Sequence, residues 1–167
     1  MRDSAGVLLW RRTRSGLEVF IAHMGGPYWA RKDARAWSIP KGECEPPEQP
    51  LVAALREFAE EIGTAAPDAA YSSLGDVKYS SGKTVAVFAA EAPDFAPEQI
   101  VSNTFELEWP PRSGRLQTFP EIDDARWVEL DDAREKLVAG QIAALDLLLV
   151  SLGPDALTPG AGSPRPE

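Results

Sequence analysis

The stretch GECEPPEQPLVAALREFAEEIG, residues 42–63, decides the fold because it joins a proline-dense loop to a strongly patterned helix. Proline fits the first turn of a helix but not its interior, so we expect the helix to begin about Pro50. It should end at Gly63, because glycine readily adopts the left-handed conformation that terminates helices. An apolar stripe at helical spacing would face a core; it consists of Leu51, Leu55, Phe58 and Ile62.

The same helix carries three carboxylates on another face. Glu57, Glu60 and Glu61 stand at positions i, i+3 and i+4, which are neighbours on a helix surface. Like charges at this spacing repel one another, so a sequence selected only for stability would place lysines between them. Hard divalent cations such as Mg²⁺ take oxygen ligands from carboxylates and substrate phosphates, which makes this face a candidate metal site. Taken alone, however, the helix favours the simpler interpretation of a solvated acidic face.

The rest of the chain mixes strands and helices. Residues 93–120 are expected to form a long irregular segment, and segments of this kind in compact domains are commonly functional. A short helix capped by Asp131 and a terminal helix over residues 141–152 should follow. Strands are predicted over residues 5–10, 17–23, 70–79, 84–90 and 125–130. This pattern indicates an α+β layered domain over residues 1–152, followed by a disordered tail over residues 153–167.

The composition excludes several classes of function. The 167-residue chain has 26 acidic residues against 17 lysines and arginines, for a net charge of -9 at pH 7. This balance argues against a protein that neutralises nucleic-acid phosphates and against a basic membrane-surface helix. The single cysteine cannot form an intrachain disulfide. Because no apolar run is long enough for a signal peptide or a bilayer span, we expect a cytoplasmic protein.

The residues around the helix carry a more specific signal. Gly42, five residues, Glu48, seven residues and then REFAEEIG, residues 56–63, resembles the signature of the Nudix hydrolases, G-x5-E-x7-R-E-U-x-E-E-x-G-U, where U is bulky and apolar. Every fixed position matches, and only the last U departs, as Thr64. The preceding SIPK, residues 38–41, resembles the lead-in strand and turn of that family. The resemblance implies an α/β/α sandwich, with a mixed sheet and flanking helices.

The resemblance also implies a reaction: metal-dependent hydrolysis of a phosphoanhydride bond, with Mg²⁺ or Mn²⁺ as the cofactor. The substrate would be a nucleoside diphosphate linked to another moiety. Arg56 would orient the carboxylates, and Glu48 would brace the loop before the helix. By position, the catalytic and metal-binding residues are Glu57, Glu60 and Glu61, joined by the main-chain carbonyl of Lys41.

One further carboxylate is implied outside the motif. Family members usually draw it from a loop near the last strand, where it acts in catalysis and metal binding. Glu121 is our candidate because it lies in the segment FPEID, residues 119–123, before the predicted strand over residues 125–130. Glu106 and Glu108 are the alternatives, and each of the three is also compatible with a role as an ordinary surface acid.

The substrate is less well defined by the sequence. Candidate substrate contacts are Lys41, Arg56, Tyr79 and Lys83. The aromatic side chains that could stack on a base are Tyr28, Trp29, Trp37, Tyr79 and Trp109. Ordinary packing in the core or at its rim explains most of these aromatic residues. Tyr79 lies about sixteen residues past the motif, where dinucleoside polyphosphate hydrolases tend to carry a tyrosine.

Further similarity to the diadenosine tetraphosphatase branch and to predicted bacterial NTP pyrophosphohydrolases favours a dinucleoside polyphosphate or an NTP. The alternatives are an ADP-ribose or nucleotide-sugar pyrophosphatase and a non-catalytic nucleotide-binding module. The expected partner is therefore a small-molecule nucleotide, with neither nucleic acid nor membrane, and the oligomeric state stays open.

Overall fold

The computed structural model describes residues 3–158. Within residues 3–158, nine strands and three helices follow one another, with a 3₁₀ turn at Ala139–Gln141. The strands are β1 (Ser4–Thr13), β2 (Gly16–Met24), β3 (Trp37–Ser38), β4 (Lys41–Glu43), β5 (Ser72–Lys78), β6 (Thr84–Glu91), β7 (Thr104–Glu108), β8 (Leu116–Pro120) and β9 (Ile122–Glu129). The helices are α1 (Pro50–Ile62), α2 (Leu130–Lys136) and α3 (Ile142–Leu152).

A mixed sheet of seven strands forms the centre of the fold, in the order β3-β2-β1-β6-β5 with β4 on β1 and β9 on β2. Strands β1 and β6 pair in parallel, from Ser4 opposite Val85 to Trp10 opposite Glu91. The first seven residues of β1 are buried. Burial of a strand on both faces explains its near-continuous apolar sequence.

The hairpin of β1 and β2 opens at the end of the sheet away from its turn. The two strands pair with each other only near their turn, from Trp10 opposite Val19 to Thr13 opposite Gly16. Beyond that point β3 pairs with β2, and β4 pairs with β1. Residues 37–43 therefore cross from one strand to the other and deliver the backbone of Lys41 to the sheet's centre.

Two apolar cores cover the two faces of the sheet. Helix α1 buries Phe58 and Ile62 completely against one face, which also contributes Phe20. Leu145 and Leu148 of α3 are buried against the other face. The predicted α+β class and the α/β/α sandwich are both confirmed. Among the described residues, every helix is too short or too polar to cross a membrane.

The ends of α1 agree with the prediction, whereas the start of α2 does not. Proline occupies the first turn of α1, and Gly63 ends the helix at φ 83°, with its N–H donating to the carbonyl of Ala59. Asp131 is not the cap of α2, because that position belongs to Glu129 and no side chain caps the helix. Asp131 instead lies in the first turn, where a carboxylate interacts favourably with the helix dipole.

The segment over residues 93–120 is not irregular throughout, which corrects the expectation. Strands β7 and β8 form a separate two-stranded ribbon, with Phe105 opposite Phe119. Only alternate residues of β7 are partly covered, namely Phe105 and Leu107. A ribbon with one weakly covered face has a faint hydrophobic pattern, and the prolines and arginines between its strands obscured it.

The C-terminal segment continues beyond α3. Residues 153–158 turn back onto the sheet, and Ala156 is 3% exposed within one of the two cores. Arg12 donates a hydrogen bond to the carbonyl of Ala156 at 3.4 Å. The first part of the predicted tail thus has defined contacts, and residues 159–167 lie outside the described residues.

Gly63 is expected to be essential for stability, and Gly75 provides a matched control. Both have positive φ, 83° and 94°, but a Cβ on Gly63 would lie 2.4 Å from the carbonyl oxygen of Val101, whereas one on Gly75 meets nothing within 4 Å. Left-handed alanine costs about 1–2 kcal/mol, and Gly63→Ala adds the clash. We expect urea unfolding to show a larger loss for Gly63→Ala than for Gly75→Ala. Equal losses would contradict a steric role for Val101.

Candidate active site

A single guanidinium organises the acidic face of α1. Arg56 binds Glu48 with two parallel hydrogen bonds, from Nε and Nη2, each 2.9 Å long. Its Nη1 donates to Glu57 Oε1 at 2.7 Å and to Glu60 Oε1 at 3.3 Å. Its Nη2 also reaches the carbonyl oxygen of Glu43 at 3.0 Å. Arg56 therefore joins the helix, the preceding loop and β4 at one point.

Glu48 fixes the loop before α1 by bonding to both Arg56 and the backbone of Glu45. Its Oε2 accepts the backbone N–H of Glu45 at 3.1 Å in addition to the Arg56 bonds. These bonds, those from Arg56 above all, lower the pKa of Glu48 to about 2. The same contacts raise the pKa of Arg56 above its ordinary value. Both groups are thus charged at neutral pH, and the loop between β4 and α1 is fixed from both sides.

Gly42 makes room for the first carboxylate. An added Cβ there would lie 2.0 Å from Glu57 Cδ, so a side chain at this position would displace the carboxylate. Glu57 is partly buried between β4 and α1, and burial raises the pKa of Glu57 against the opposing effect of Arg56. The glycine of the motif is therefore explained by close approach of a side chain to the backbone.

Glu61 is the most enclosed of the carboxylates, with 7% exposure. Its Oε2 accepts the backbone N–H of Lys41 at 3.0 Å. Burial raises the pKa of Glu61 to about 8, although the positive charge of Lys41 opposes this shift. Burial also lowers the pKa of the Lys41 ammonium. The segment that crosses from β3 to β4 thus meets a carboxylate that is poorly solvated in its charged form.

Glu121 reaches the same place from a different part of the chain. The N–H of Asn103 donates to the carbonyl of Glu60 at 2.8 Å, and the carbonyl of Asn103 accepts the N–H of Glu121 at 2.9 Å. The carbonyl of Glu121 in turn accepts the N–H of Gly25 at 2.7 Å. Backbone hydrogen bonds therefore tie the loop before β9 to the last turn of α1.

The carboxylates of Glu57, Glu61 and Glu121 line one pocket with a volume of about 390 Å³. Six glutamates and two lysines face it, so acidic groups outnumber basic ones. Lys83 lies at the pocket from the turn between β5 and β6, as one of the candidate substrate contacts. The four predicted carboxylates in this pocket are Glu57, Glu60, Glu61 and Glu121, and Lys41 lies beside them.

Three residues that the sequence suggested for the site, Glu106, Glu108 and Tyr79, lie outside this pocket. Glu106 and Glu108 are exposed on β7, where Glu108 accepts the N–H of Gly114 within its own hairpin. The hydroxyl of Tyr79 accepts a hydrogen bond from Gln141, and an added Cβ on Gly140 would meet its ring. Neither the two glutamates nor Tyr79 belongs to the set that lines this pocket. Arg56 is not in that set either, although it donates to Glu57 and Glu60.

The donor set suits a hard divalent cation. All the acidic groups in the pocket are oxygen donors, the type that Mg²⁺ and Mn²⁺ prefer. In residues 3–158 no three acidic, histidine or cysteine side chains already have the mutual geometry of a metal site. Because Arg56 holds Glu57 and Glu60 in this arrangement, their side chains would have to turn to bind a cation. The pocket thus offers the oxygen donors that such a cation prefers, but Glu57 and Glu60 must turn before they can bind it.

Sequence reasoning missed Asn103, whose backbone anchors Glu121. The side chain of Asn103 takes no part in the two hydrogen bonds, which use main-chain N–H and C=O groups only. Any residue other than proline can supply those groups, so the residue type carries no signal. Only the three-dimensional path of the chain could place this residue at the site.

Glu61 predicts a pH-dependent stability of the metal-free protein. Its pKa of about 8 lies above the ordinary value of 4.5, so the folded state keeps a proton that the unfolded chain releases. This stabilisation is fully present below pH 4.5 and is lost as the pH rises through about 8. In EDTA, we expect the urea midpoint of the wild type to fall with pH more steeply than that of Glu61→Gln.

The comparison requires a control for the removal of a glutamate. Glu106→Gln makes the same chemical change on an exposed strand position outside the pocket. It should keep the wild-type slope of midpoint against pH. Parallel curves for the wild type and Glu61→Gln would contradict the assigned burial of this carboxylate.

The fold and the motif agree with comparisons to known proteins. The model of the NUDIX domain family matches residues 1–148. No curated protein sequence matches the chain at a significant level. Because the domain matches and the arginine and glutamates of the motif are all present, the prediction of a Nudix-type pyrophosphohydrolase is confirmed.

Solved structures share this architecture. A complex of an Ap4A hydrolase from C. elegans superposes with a TM-score of 0.63 at 20% identity, covering 90% of this chain and 96% of that one. The NUDIX domain of NrtR from Shewanella oneidensis, complexed with ADP ribose, gives 0.63 at 15% identity, covering 92% and 89%. The Nudix hydrolase RenU from M. smegmatis gives 0.55 at 22% identity, covering 88% and 83%. At these identities the neighbours establish the fold, and the family match establishes that this chain belongs to the NUDIX domain family.

Proposed function

We propose that this protein hydrolyses a phosphoanhydride bond in a small nucleotide, namely a nucleoside diphosphate linked to another moiety. A dinucleoside polyphosphate or an NTP is the preferred substrate. The observation that carries the proposal is the convergence of Glu57, Glu60, Glu61 and Glu121 with Lys41 in one open pocket. The acidic groups suit divalent cations, and cations attract the polyphosphate that a pocket of this net charge would otherwise repel.

Each residue has a distinct part in the proposed reaction. Glu60, Glu61, Glu121 and the main-chain carbonyl of Lys41 would hold Mg²⁺ or Mn²⁺, with Glu57 as a further ligand or as the group that orients the attacking water. A cation bound there would supply neutralisation of phosphate oxygens and a lower pKa of water.

The remaining groups of the chain act on the carboxylates and on the substrate. Arg56 keeps the carboxylates together beside the pocket through its bonds to Glu48, Glu57 and Glu60. Lys41 and Lys83 face the same pocket and are positioned to contact phosphate oxygens of the substrate. Binding of the phosphates then depends on both the cation and these two ammonium groups.

ADP-ribose or a nucleotide sugar is the second candidate substrate. The observation in its favour is the fold shared with the NrtR domain, which was solved with ADP ribose. A nucleotide-binding module without activity is the third possibility, and the intact set of motif carboxylates argues against it.

A substrate panel tests the proposal. It should contain diadenosine polyphosphates, NTPs, ADP-ribose and nucleotide sugars, each assayed for released phosphate or nucleotide with Mg²⁺, Mn²⁺ or EDTA. We expect cleavage of diadenosine polyphosphates or NTPs that requires the metal and is abolished by EDTA. Turnover that is the same in EDTA, or no turnover on any class, would contradict the proposed reaction.

Glu60→Gln tests the carboxylate face directly. Glu60 is exposed, so the variant should fold normally, and loss of a metal ligand should lower kcat by at least about 100-fold. Glu106→Gln, which is exposed on β7, is the matched control and should retain wild-type kcat. Wild-type turnover by Glu60→Gln, with both variants folded by circular dichroism, would remove Glu60 from the mechanism.

A further inference from the structure

A fully buried glutamine joins two segments that carry the lysines of the acidic pocket. Gln141 ends the 3₁₀ turn before α3 and is 0% exposed. Its Oε1 accepts the backbone N–H of Ile39 at 2.7 Å. Its Nε2 donates to the hydroxyls of Ser38 at 2.9 Å and of Tyr79 at 2.7 Å. We call Gln141 with these three partners the glutamine bridge.

The bridge uses every hydrogen-bonding group of the amide. The backbone N–H of Ile39 can only donate, so its partner has to be the amide oxygen. The hydroxyl of Ser38 donates to the carbonyl of Ile39 at 2.8 Å, which leaves its oxygen to accept from Nε2. The hydroxyl of Tyr79 takes the second N–H of Nε2. A buried polar side chain with all its bonds satisfied is a rigid connection between its partners.

One arm of the bridge fixes the backbone that leads to Lys41. The bond at Ile39 is followed by one bond at each of the next two residues. The carbonyl of Pro40 accepts the N–H of Val7 at 3.0 Å. The N–H of Lys41 donates to Glu61 at 3.0 Å. Three successive residues are therefore held, and both the carbonyl and the side chain of Lys41 start from a fixed backbone.

The other arm of the bridge leads to Lys83, in the turn between β5 and β6. The backbone N–H of Tyr79 donates to the carbonyl of Lys83 at 2.8 Å, and the carbonyl of Tyr79 accepts the N–H of Gly82 at 2.9 Å. The ring of Tyr79 packs on Gly140, where an added Cβ would lie 2.3 Å from a ring carbon. The turn that carries Lys83 is therefore attached, through the Tyr79 hydroxyl, to the residue that also holds the Lys41 segment.

The two lysines require such an attachment because their charges repel each other. Lys41 and Lys83 both line the acidic pocket. Burial lowers the pKa of Lys41, and the positive charge of Lys83 adds to this shift, so the two ammonium groups are close enough to interact. Two cations held near each other suit a ligand with several negative oxygens, such as a chain of phosphates.

We propose that Gln141 is a positioning residue of the active site, which holds Lys41 and Lys83 together for the phosphates of the substrate. This inference rests on the proposed function and adds to it a residue that does not line the pocket. It also gives Tyr79 a part other than the substrate contact expected from the sequence. The hydroxyl of Tyr79 is bonded to Gln141 and acts on the substrate only through Lys83.

Calorimetric binding of inorganic pyrophosphate in a Mg²⁺-containing buffer tests the proposal. Tyr79→Phe removes the hydroxyl and keeps the ring, so it breaks only the arm that leads to Lys83. We expect this variant to weaken pyrophosphate binding by about 2- to 10-fold, the effect of one lost hydrogen bond. Tyr71→Phe is the matched control, because it loses one hydrogen bond to the carbonyl of Pro67 outside the pocket. It should bind pyrophosphate as the wild type does.

A double-mutant cycle shows whether Tyr79 acts through Lys83. Lys83→Met should weaken pyrophosphate binding, and adding Tyr79→Phe to it should then change the affinity by less than about twofold. Gln141→Met releases both arms and should weaken binding more than Tyr79→Phe does. With a nucleotide substrate, Tyr79→Phe should raise KM and change kcat by less than about threefold, because the carboxylates lie on other elements.

Two results would overturn the proposal. One is pyrophosphate binding unchanged in both Tyr79→Phe and Gln141→Met while their urea midpoints fall, because the bridge would then serve stability alone. The other is an equal effect of Tyr79→Phe with and without Lys83, because the hydroxyl would then act independently of that lysine.

The hydrolysis panel separates these results from failure of the proposed function. The expected binding pattern without turnover on any substrate would contradict the reaction only. Metal-dependent turnover with the same KM in Tyr79→Phe as in the wild type would contradict the positioning role only.

Discussion

The bonds from Arg56 to the carboxylates around it are the constraint on which the site depends. Glu57 and Glu60 share a helix face and would otherwise move apart, because like charges at this spacing repel. Arg56 offsets that repulsion by donating to both, while its two bonds to Glu48 fix the guanidinium itself. The carboxylates are thus held near one another without a cation, although Glu57 and Glu60 must turn from Arg56 to bind one. The same arginine also fixes the loop that brings Gly42 beside the helix.

The open hairpin of β1 and β2 supplies the second half of the site. Because residues 37–43 cross between these strands, a backbone N–H is presented to the buried carboxylate of Glu61. The loop before β9 then closes the pocket through main-chain bonds to α1. The acidic pocket is therefore built from separate parts of the chain, namely β4, α1, the turn before β6 and the loop before β9.

Local features of this chain could be predicted from its sequence, and long-range ones could not. Helix α1 and its ends follow from Pro50, Gly63 and the apolar stripe, all of which act within a few residues. The motif also placed the helix carboxylates together, since helical spacing alone determines their face. The β7–β8 ribbon was missed because its covered face carries only alternate, partly exposed residues. The contact of Asn103 uses main-chain atoms, which leave no trace in residue type.

Anomalous scattering from crystals soaked in Mn²⁺ shows whether the face organised by Arg56 binds a divalent cation. We expect an anomalous peak in the pocket of about 390 Å³, bonded to at least two of Glu57, Glu60 and Glu61. Its ligand distances should be about 2.1 Å, as for a small hard cation on carboxylate oxygens. A well-occupied manganese at another site with none in this pocket, or an empty pocket at saturating Mn²⁺, would show that these carboxylates do not form the cation site.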